Sequence, residues 1–272
     1  MQFTDILQYA FLQRAIIAGT LIAMLCSVLG VFLVLRRLSL IGDGLAHVTF
    51  GSVAMALLFS VSSVYTTIAA IPFVLLSAIG ILKIAEKARI YGDAAIGIVS
   101  SLGIATGILL ASLAGGFNVD LFSYLFGNIL SISRTELIVA VVLFVVVLMT
   151  VGFFFNELFA ITFDEELAVT SGIRVERINW ILVLLTALTV VLAMKVVGIM
   201  LISALLILPA VAALQLARGF KAAIFLSVAF GVVSVLGGIF FSFIVNLPTG
   251  ATIIIINFIL FAITFALRKI RG

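Results

Sequence analysis

The sequence predicts an all-α fold, a polytopic transmembrane helical bundle of about 8–9 spans forming one membrane domain over residues 1–272. Three observations lead there. Hydrophobic residues make up 65% of the chain and charged residues 10%, against roughly 45–50% and roughly 25% in soluble domains. Mean hydropathy is +1.48. Apolar runs near the ~20 residues that cross a bilayer recur along the whole length. The lipid bilayer is therefore the chain's first partner.

Taken in order, the apolar windows are 16–35, 40–59, 64–84, 94–112, 134–156, 178–195, 198–216, 222–243 and 249–267, nine in all. Arg14 precedes the first, but no small-x-small cleavage site follows before Arg36, so this segment reads as a retained span rather than a signal peptide. The second window starts on a charge, Asp43. The sixth and seventh meet at Lys195-Val-Val-Gly198, which suits either two spans or one broken element. Between the fourth and fifth, LFSYLFGNILS is apolar but too short to cross, as a re-entrant or interfacial helix would be.

Basic residues gather in loops on one side of the nine-span arrangement: Arg36/Arg37, Lys83 to Arg89, Arg174/Arg177, Arg218/Lys221 and the C-terminal RKIR. Positive flanks favour the cytoplasm, which puts the N-terminus outside in the nine-span arrangement; an eight-span arrangement, with the first hundred residues folded differently, puts it inside. The net charge of +4 reflects these flanks. No segment is large enough to offer a basic face to nucleic acid, so no nucleic-acid partner is expected. The single Cys26 excludes an internal disulfide.

The longest polar insert, TFDEELAVTSGIRVERIN, spans Thr162 to Asn179. Thr162 with Glu165 makes a capping-box pattern. Asp164, Glu165 and Glu166 favour a helix start, Gly172 offers a stop, and Arg174 and Arg177 lead into the next span. It reads either as a solvated linker or as a docking helix for a soluble partner, over about 162–177.

Asp43 and His47 stand out from the apolar background. Four apart, they share one helix face, and His47 is the chain's only histidine. A carboxylate and an imidazole suit zinc, and also manganese or iron. The plain alternative is a helix-start carboxylate hydrogen-bonded to an imidazole. Ionisable groups inside spans are costly and point to function. One Asp and one His fall short of zinc's four ligands. Two copies about a twofold axis would supply two of each, and twofold dimers are the commonest oligomer. Asp120 and Glu157 are poorer candidates, at the predicted membrane edges.

Pro209 interrupts an apolar helix and predicts a kink. Ser203 and Gly198 fit helix packing. VNLPTGA, Val245 to Ala251, reads as a tight turn around Asn246. The 24 phenylalanines are packing and lipid-facing bulk rather than a cofactor box. No phosphate-binding loop and no HExxH is present, so the chain carries no ATPase or metallohydrolase signature and no permanently bound cofactor is expected.

RRLSLIGDGLAHVTFG, Arg36 to Gly51, resembles the early signature of the permease subunits of bacterial ABC transporters for zinc, manganese and iron. GDAAIGIVSS, VDLFSYLFGNIL, FDEELAVTSGIRV and VVGIMLISALLILPAVAA with NLPTG extend the resemblance over the whole chain. The LFSYLFG run is most similar to zinc-uptake members. The resemblance implies a non-enzymatic transport subunit in the bacterial inner membrane, pairing with a second copy of itself. It further implies two cytoplasmic ATPase subunits and an extracytoplasmic metal-binding protein. The transported ion would be a divalent metal, zinc first and manganese or iron otherwise. Asp43 and His47 correspond to the family's residues for metal passage. Asp164, Glu165, Glu166, Gly172 and Arg174 fall in its coupling helix. Asn246 stands where members often carry Asp, which removes an anionic attractor there. A secondary, gradient-driven cation carrier without an ATPase is the alternative; it predicts more acidic residues in mid-span and no docking segment.

Overall fold

The computed structural model describes residues 9–59, 63–88, 92–116, 124–127 and 132–271. Four long helices come first: α1 (Ala10–Leu35), α2 (Ile41–Leu58), α3 (Ser63–Ala88) and α4 (Gly92–Leu113). A fifth, α5 (Arg134–Phe153), is followed by the short α6 (Phe155–Phe163) and α7 (Glu165–Thr170). The chain then returns through α8 (Val175–Val196), a 3₁₀ turn (Ile199–Leu201), α9 (Ile202–Leu216), α10 (Phe220–Val245) and α11 (Thr249–Arg271). Every apolar window of the sequence is helical. Most of LFSYLFGNILS, and Asp120, lie outside the described residues.

Eight of these helices are long and apolar enough to cross a membrane. The exception is α9, with only 15 residues, so the nine apolar windows become eight long helices and one short, broken element. Its physical cause is Gly198, whose φ of +92° breaks the helix after α8. A Cβ at Gly198 would fall 2.4 Å from the Phe126 carbonyl carbon, so only glycine lets the chains pass. Even so, the broken element runs from one end of the bundle to the other. Its 3 residues of 3₁₀ and 15 of α-helix reach about 28 Å, close to the ~30 Å hydrocarbon core. At the start, Gly198 touches Phe126 and Gly127 while Gly250 meets Val197 and Phe126. Its other end lies by Arg268, which donates to Gln215 at 2.6 Å.

That second end collects the basic loops. Phe220, at the start of α10, packs against the rings of Phe32, Phe155, Phe159 and Phe163 at 5.2, 5.9, 5.1 and 5.6 Å. These phenylalanines are neither lipid-facing filler nor a cofactor box. They pin α6 and the insert that follows it beneath α1 and α10, and this end is called the basic end below. Behind it, α10 presents a buried stripe of Ala223, Ser227, Gly231, Ser234, Gly238 and Ser242. Small residues permit close helix approach in an apolar setting. Accordingly Ser227 Oγ donates to the Ser27 carbonyl of α1 at 3.0 Å.

Two local details differ from the sequence pattern. Thr162 does not cap α7; α6 continues to Phe163, so the Thr162 hydroxyl donates back to the Leu158 carbonyl at 2.6 Å. A full capping box forms instead at α5, where Ser133 Oγ accepts from the Glu136 N–H and Glu136 accepts from the Ser133 N–H. Pro209 lies within α9, as Pro72 does within α3. Each removes a backbone donor from its helix.

Candidate functional site

The Asp43/His47 pair sits in the first turns of α2. Asp43 lies in the opening turn, where the free N–H groups favour an anion, and His47 follows one turn later. Their side chains meet, His47 Nε2 to Asp43 Oδ2 at 3.4 Å. Neither is sealed: the His47 side chain is 19% exposed and that of Asp43 45%. The other faces of α2 are packed hard. Gly44 backs onto Ile96 of α4, where a Cβ would come within 2.7 Å of the Ile96 side chain. Gly103 of α4 lies directly on the His47 backbone, where a Cβ would fall 2.8 Å from its carbonyl. On another side, Gly42 faces Leu206 of α9. Ser203 Oγ, also on α9, donates to Asp43 Oδ1 at 3.4 Å. Ser203 therefore does more than pack between helices: it steadies one carboxylate oxygen and leaves the other to His47.

Beyond His47 on the same face, Gly51, Ser52 and Met55 open into a groove of about 400 Å³ between α2, α3 and α4. Two of its hydroxyls are committed locally: Ser52 donates to the Val48 carbonyl and Thr106 to that of Leu102. Most of the other side chains lining the groove are apolar. Among the described residues no third His, Cys, Asp or Glu joins the pair to form a metal-holding group. Glu157 lies on α6, far along the chain from it, in the first turn of that helix.

At the basic end, the insert folds as a short helix with both ends closed. Asp164 is the N-cap of α7, accepting from the Leu167 N–H at 2.9 Å. Gly172, at φ +83°, closes the other end. The Gly172 N–H donates to the Val169 carbonyl and the Ile173 N–H to that of Ala168, the left-handed stop that glycine favours. Ala168 is buried, while Phe163, Leu167 and Val169 are 61%, 63% and 57% exposed. Glu166 and Arg174 are exposed beside them. An apolar ridge flanked by acids and an arginine therefore projects from this end. The sequence reading named its charges and missed its apolar residues.

Glu165 turns the other way. Its Oε2 accepts from Arg36 Nη2 at 2.8 Å, while Arg36 Nη1 donates to Asn179 of α8. The Arg36 side chain is only 8% exposed. Burial lowers the affinity of its guanidinium for the proton, and Glu165 partly restores it. In the sequence Arg36 registers only as a marker of sidedness.

Asn246 ends α10 in the left-handed region, φ 57°, and is exposed. Asparagine tolerates that conformation, so the turn accounts for this residue.

A multi-pass helical membrane protein with one half-open polar pair among its spans and a capped, projecting helix at its basic end is, by class, a membrane permease. The profile of the ABC 3 transport family matches residues 8–268, and the chain belongs to that family. It is thus a non-catalytic transport subunit of the bacterial inner-membrane type. The manganese transport system membrane protein MntC of Halalkalibacterium halodurans is 36% identical over 270 residues, covering 99% of this chain and 91% of that protein. A solved structure, PsaBC from Streptococcus pneumoniae in complex with Fab, superposes with a TM-score of 0.86 at 36% identity, covering 97% of this chain and 94% of that one. The high-affinity zinc uptake system membrane protein ZnuB of Haemophilus influenzae is 30% identical over 261 residues, covering 96% of this chain and 99% of that protein.

These similarities overturn the expectation that the chain is most like zinc-uptake members. The LFSYLFG run on which it rested contains no carboxylate, imidazole or thiolate. It therefore has no chemistry with which to favour one metal over another.

Proposed function

We propose that this chain is the membrane-spanning permease subunit of an ATP-driven importer of a divalent transition metal, manganese in preference to zinc. The observation that carries the reading is the Asp43–His47 contact at 3.4 Å, half-open among apolar helices and joined by no third His, Cys, Asp or Glu among the described residues. A transit site needs what this pair offers: oxygen and nitrogen donors that replace part of the hydration shell without trapping the ion. Carboxylate oxygens suit manganese and imidazole is acceptable to it. The similarity to MntC adds weight on the same side. A second copy, related by a twofold axis, doubles the pair to four ligands. The ridge formed by Phe163, Leu167 and Val169 with its flanking charges is where a cytoplasmic ATPase subunit docks. A metal-binding protein delivers the ion at the opposite end.

The test is uptake by the permease–ATPase complex in liposomes, with the delivery protein outside and ATP within. ATP-dependent accumulation of Mn²⁺ exceeding that of Zn²⁺ is the expected result. Zn²⁺ preference corrects the metal. Uptake driven by an ion gradient in the absence of any ATPase overturns the ABC mechanism in favour of a secondary carrier.

A further inference from the structure

Arg36 lies where three parts of the fold meet. It caps the C-terminal end of α1, and its guanidinium reaches both Glu165 on α7 and Asn179 on α8. Five residues further along the chain α2 begins, and Asp43 sits in its first turn. The intervening corner is stiff. Arg37 adopts φ 58°, left-handed for a residue with a side chain, a conformation held only where the surroundings enforce it. Its N–H donates to the Val34 carbonyl at 3.2 Å, and the Leu38 N–H donates to the Leu33 carbonyl at 2.8 Å. The Ile41 N–H then donates to the Leu38 carbonyl at 3.1 Å, and the Gly44 N–H to that of Leu40 at 3.1 Å. Leu38 thus bonds both to the end of α1 and to the first residue of α2, the helix that carries Asp43.

We infer that Arg36 is the positioning residue that ties the projecting helix α7 to the Asp43/His47 pair. A displacement of α7 draws on Glu165, Glu165 draws on Arg36, and the closed corner hands the shift to the first turn of α2. Asn179 gives the guanidinium a second anchor on α8, so that the corner moves with α7 and α8 together. A guanidinium is suited to this because its planar fork holds two acceptors at once, which an ammonium on a flexible stem does not. The guanidinium end of the link is buried while the Glu165 end is 55% exposed, so the ion pair itself stays open to screening by salt. The inference rests on the docking reading of α7. It adds how events at that helix reach the ion.

The experiment uses the permease–ATPase complex in liposomes and reads Mn²⁺ transported per ATP hydrolysed, alongside the fraction of assembled complex. For Arg36→Ala, assembly and basal ATP hydrolysis persist and Mn²⁺ per ATP falls by about tenfold or more, the scale of ordinary coupling between sites. Arg36→Lys keeps the charge, loses the double hold, and gives an intermediate ratio. A purely structural role predicts the opposite pattern, less assembled complex with an unchanged ratio. An unchanged ratio in assembled Arg36→Ala overturns the inference; if that variant does not assemble, the Arg36→Lys ratio decides in the same way. A native complex with no ATP-dependent uptake sinks the docking reading and this link together. Native coupling with a normal Arg36 variant sinks the link alone.

Discussion

Gly103 rests on the backbone of His47 so closely that a Cβ there would lie 2.8 Å from the histidine carbonyl carbon and oxygen. Backbone cannot rotate out of the way as a side chain can. Gly103→Ala must therefore push α2 and α4 apart, at about 1–3 kcal/mol for an overpacked contact, and the displaced residue is His47 itself. Gly97 lies on the same helix with no atom near its would-be Cβ. Gly97→Ala should be neutral or slightly stabilising, by up to about 1 kcal/mol from helix propensity. Measured side by side, Gly103→Ala should lower both thermal stability and metal uptake while Gly97→Ala changes neither adversely. Equal behaviour of the two variants would contradict the close packing behind His47.

If the ATPase docks on α7 as proposed, its binding should depend on the two caps of that helix. Asp164→Ala removes the acceptor for the Leu167 N–H, and losing such a cap costs about 1 kcal/mol. Gly172→Ala forces a side chain into the left-handed region at a cost of about 1–2 kcal/mol. With only 6 residues, α7 has little else to keep it helical. Either change should weaken ATPase binding several-fold in a pull-down while leaving the membrane bundle intact. Retention of full affinity by the double variant would show that the ATPase docks elsewhere.

Leu167 should contribute more to that binding than its charged neighbours. It is 63% exposed, as Phe163 and Val169 are 61% and 57%, and apolar anchors carry more interface energy than rim charges. Leu167→Ser should reduce ATPase affinity at all ionic strengths. Glu166→Gln should have a smaller effect that fades with added salt. A larger, salt-sensitive loss from Glu166→Gln would reverse this ranking.

The bundle was legible in the sequence because a membrane span needs little more than sustained hydrophobicity, which any window reveals. The same logic located Asp43 and His47, since ionisable groups stand out against oil. Tertiary relationships left no such trace. Arg36 and Glu165 are separated by 129 residues, and nothing periodic links them. Gly103 looks like any helix glycine until His47 is placed behind it. At short range the errors came from competition. Thr162 matches the capping pattern, but α6 continues through it to Phe163, and Asp164 takes over the cap. Broken α9 was ambiguous because window hydropathy counts apolar residues and is blind to the left-handed glycine that shortens the helix. The likeness to zinc-uptake members was misjudged from a run without ligands.

The sharpest test returns to Asp43 and His47. The chain brings one carboxylate and one imidazole, steadied by Ser203 at 3.4 Å from Asp43 Oδ1 and by the glycines that hold α2 against α4. If the pair is ordinary packing, its removal should harm assembly and spare the transport rate of whatever assembles. If the ion pauses there, removal should do the reverse, because an ion crossing an apolar bundle without ligands must give up hydration with nothing in return. Asp43→Asn and His47→Ala should each cut Mn²⁺ transport per assembled complex at least about tenfold, the loss of at least about 1.4 kcal/mol in barrier. Ser203→Ala should give a milder loss, since it removes support for a ligand and leaves the ligand in place. The two ligand changes combined should cost less than the sum of the separate losses, because they disable one site. Near-normal flux per complex in the Asp43→Asn/His47→Ala double variant would leave the pair with no part in transport.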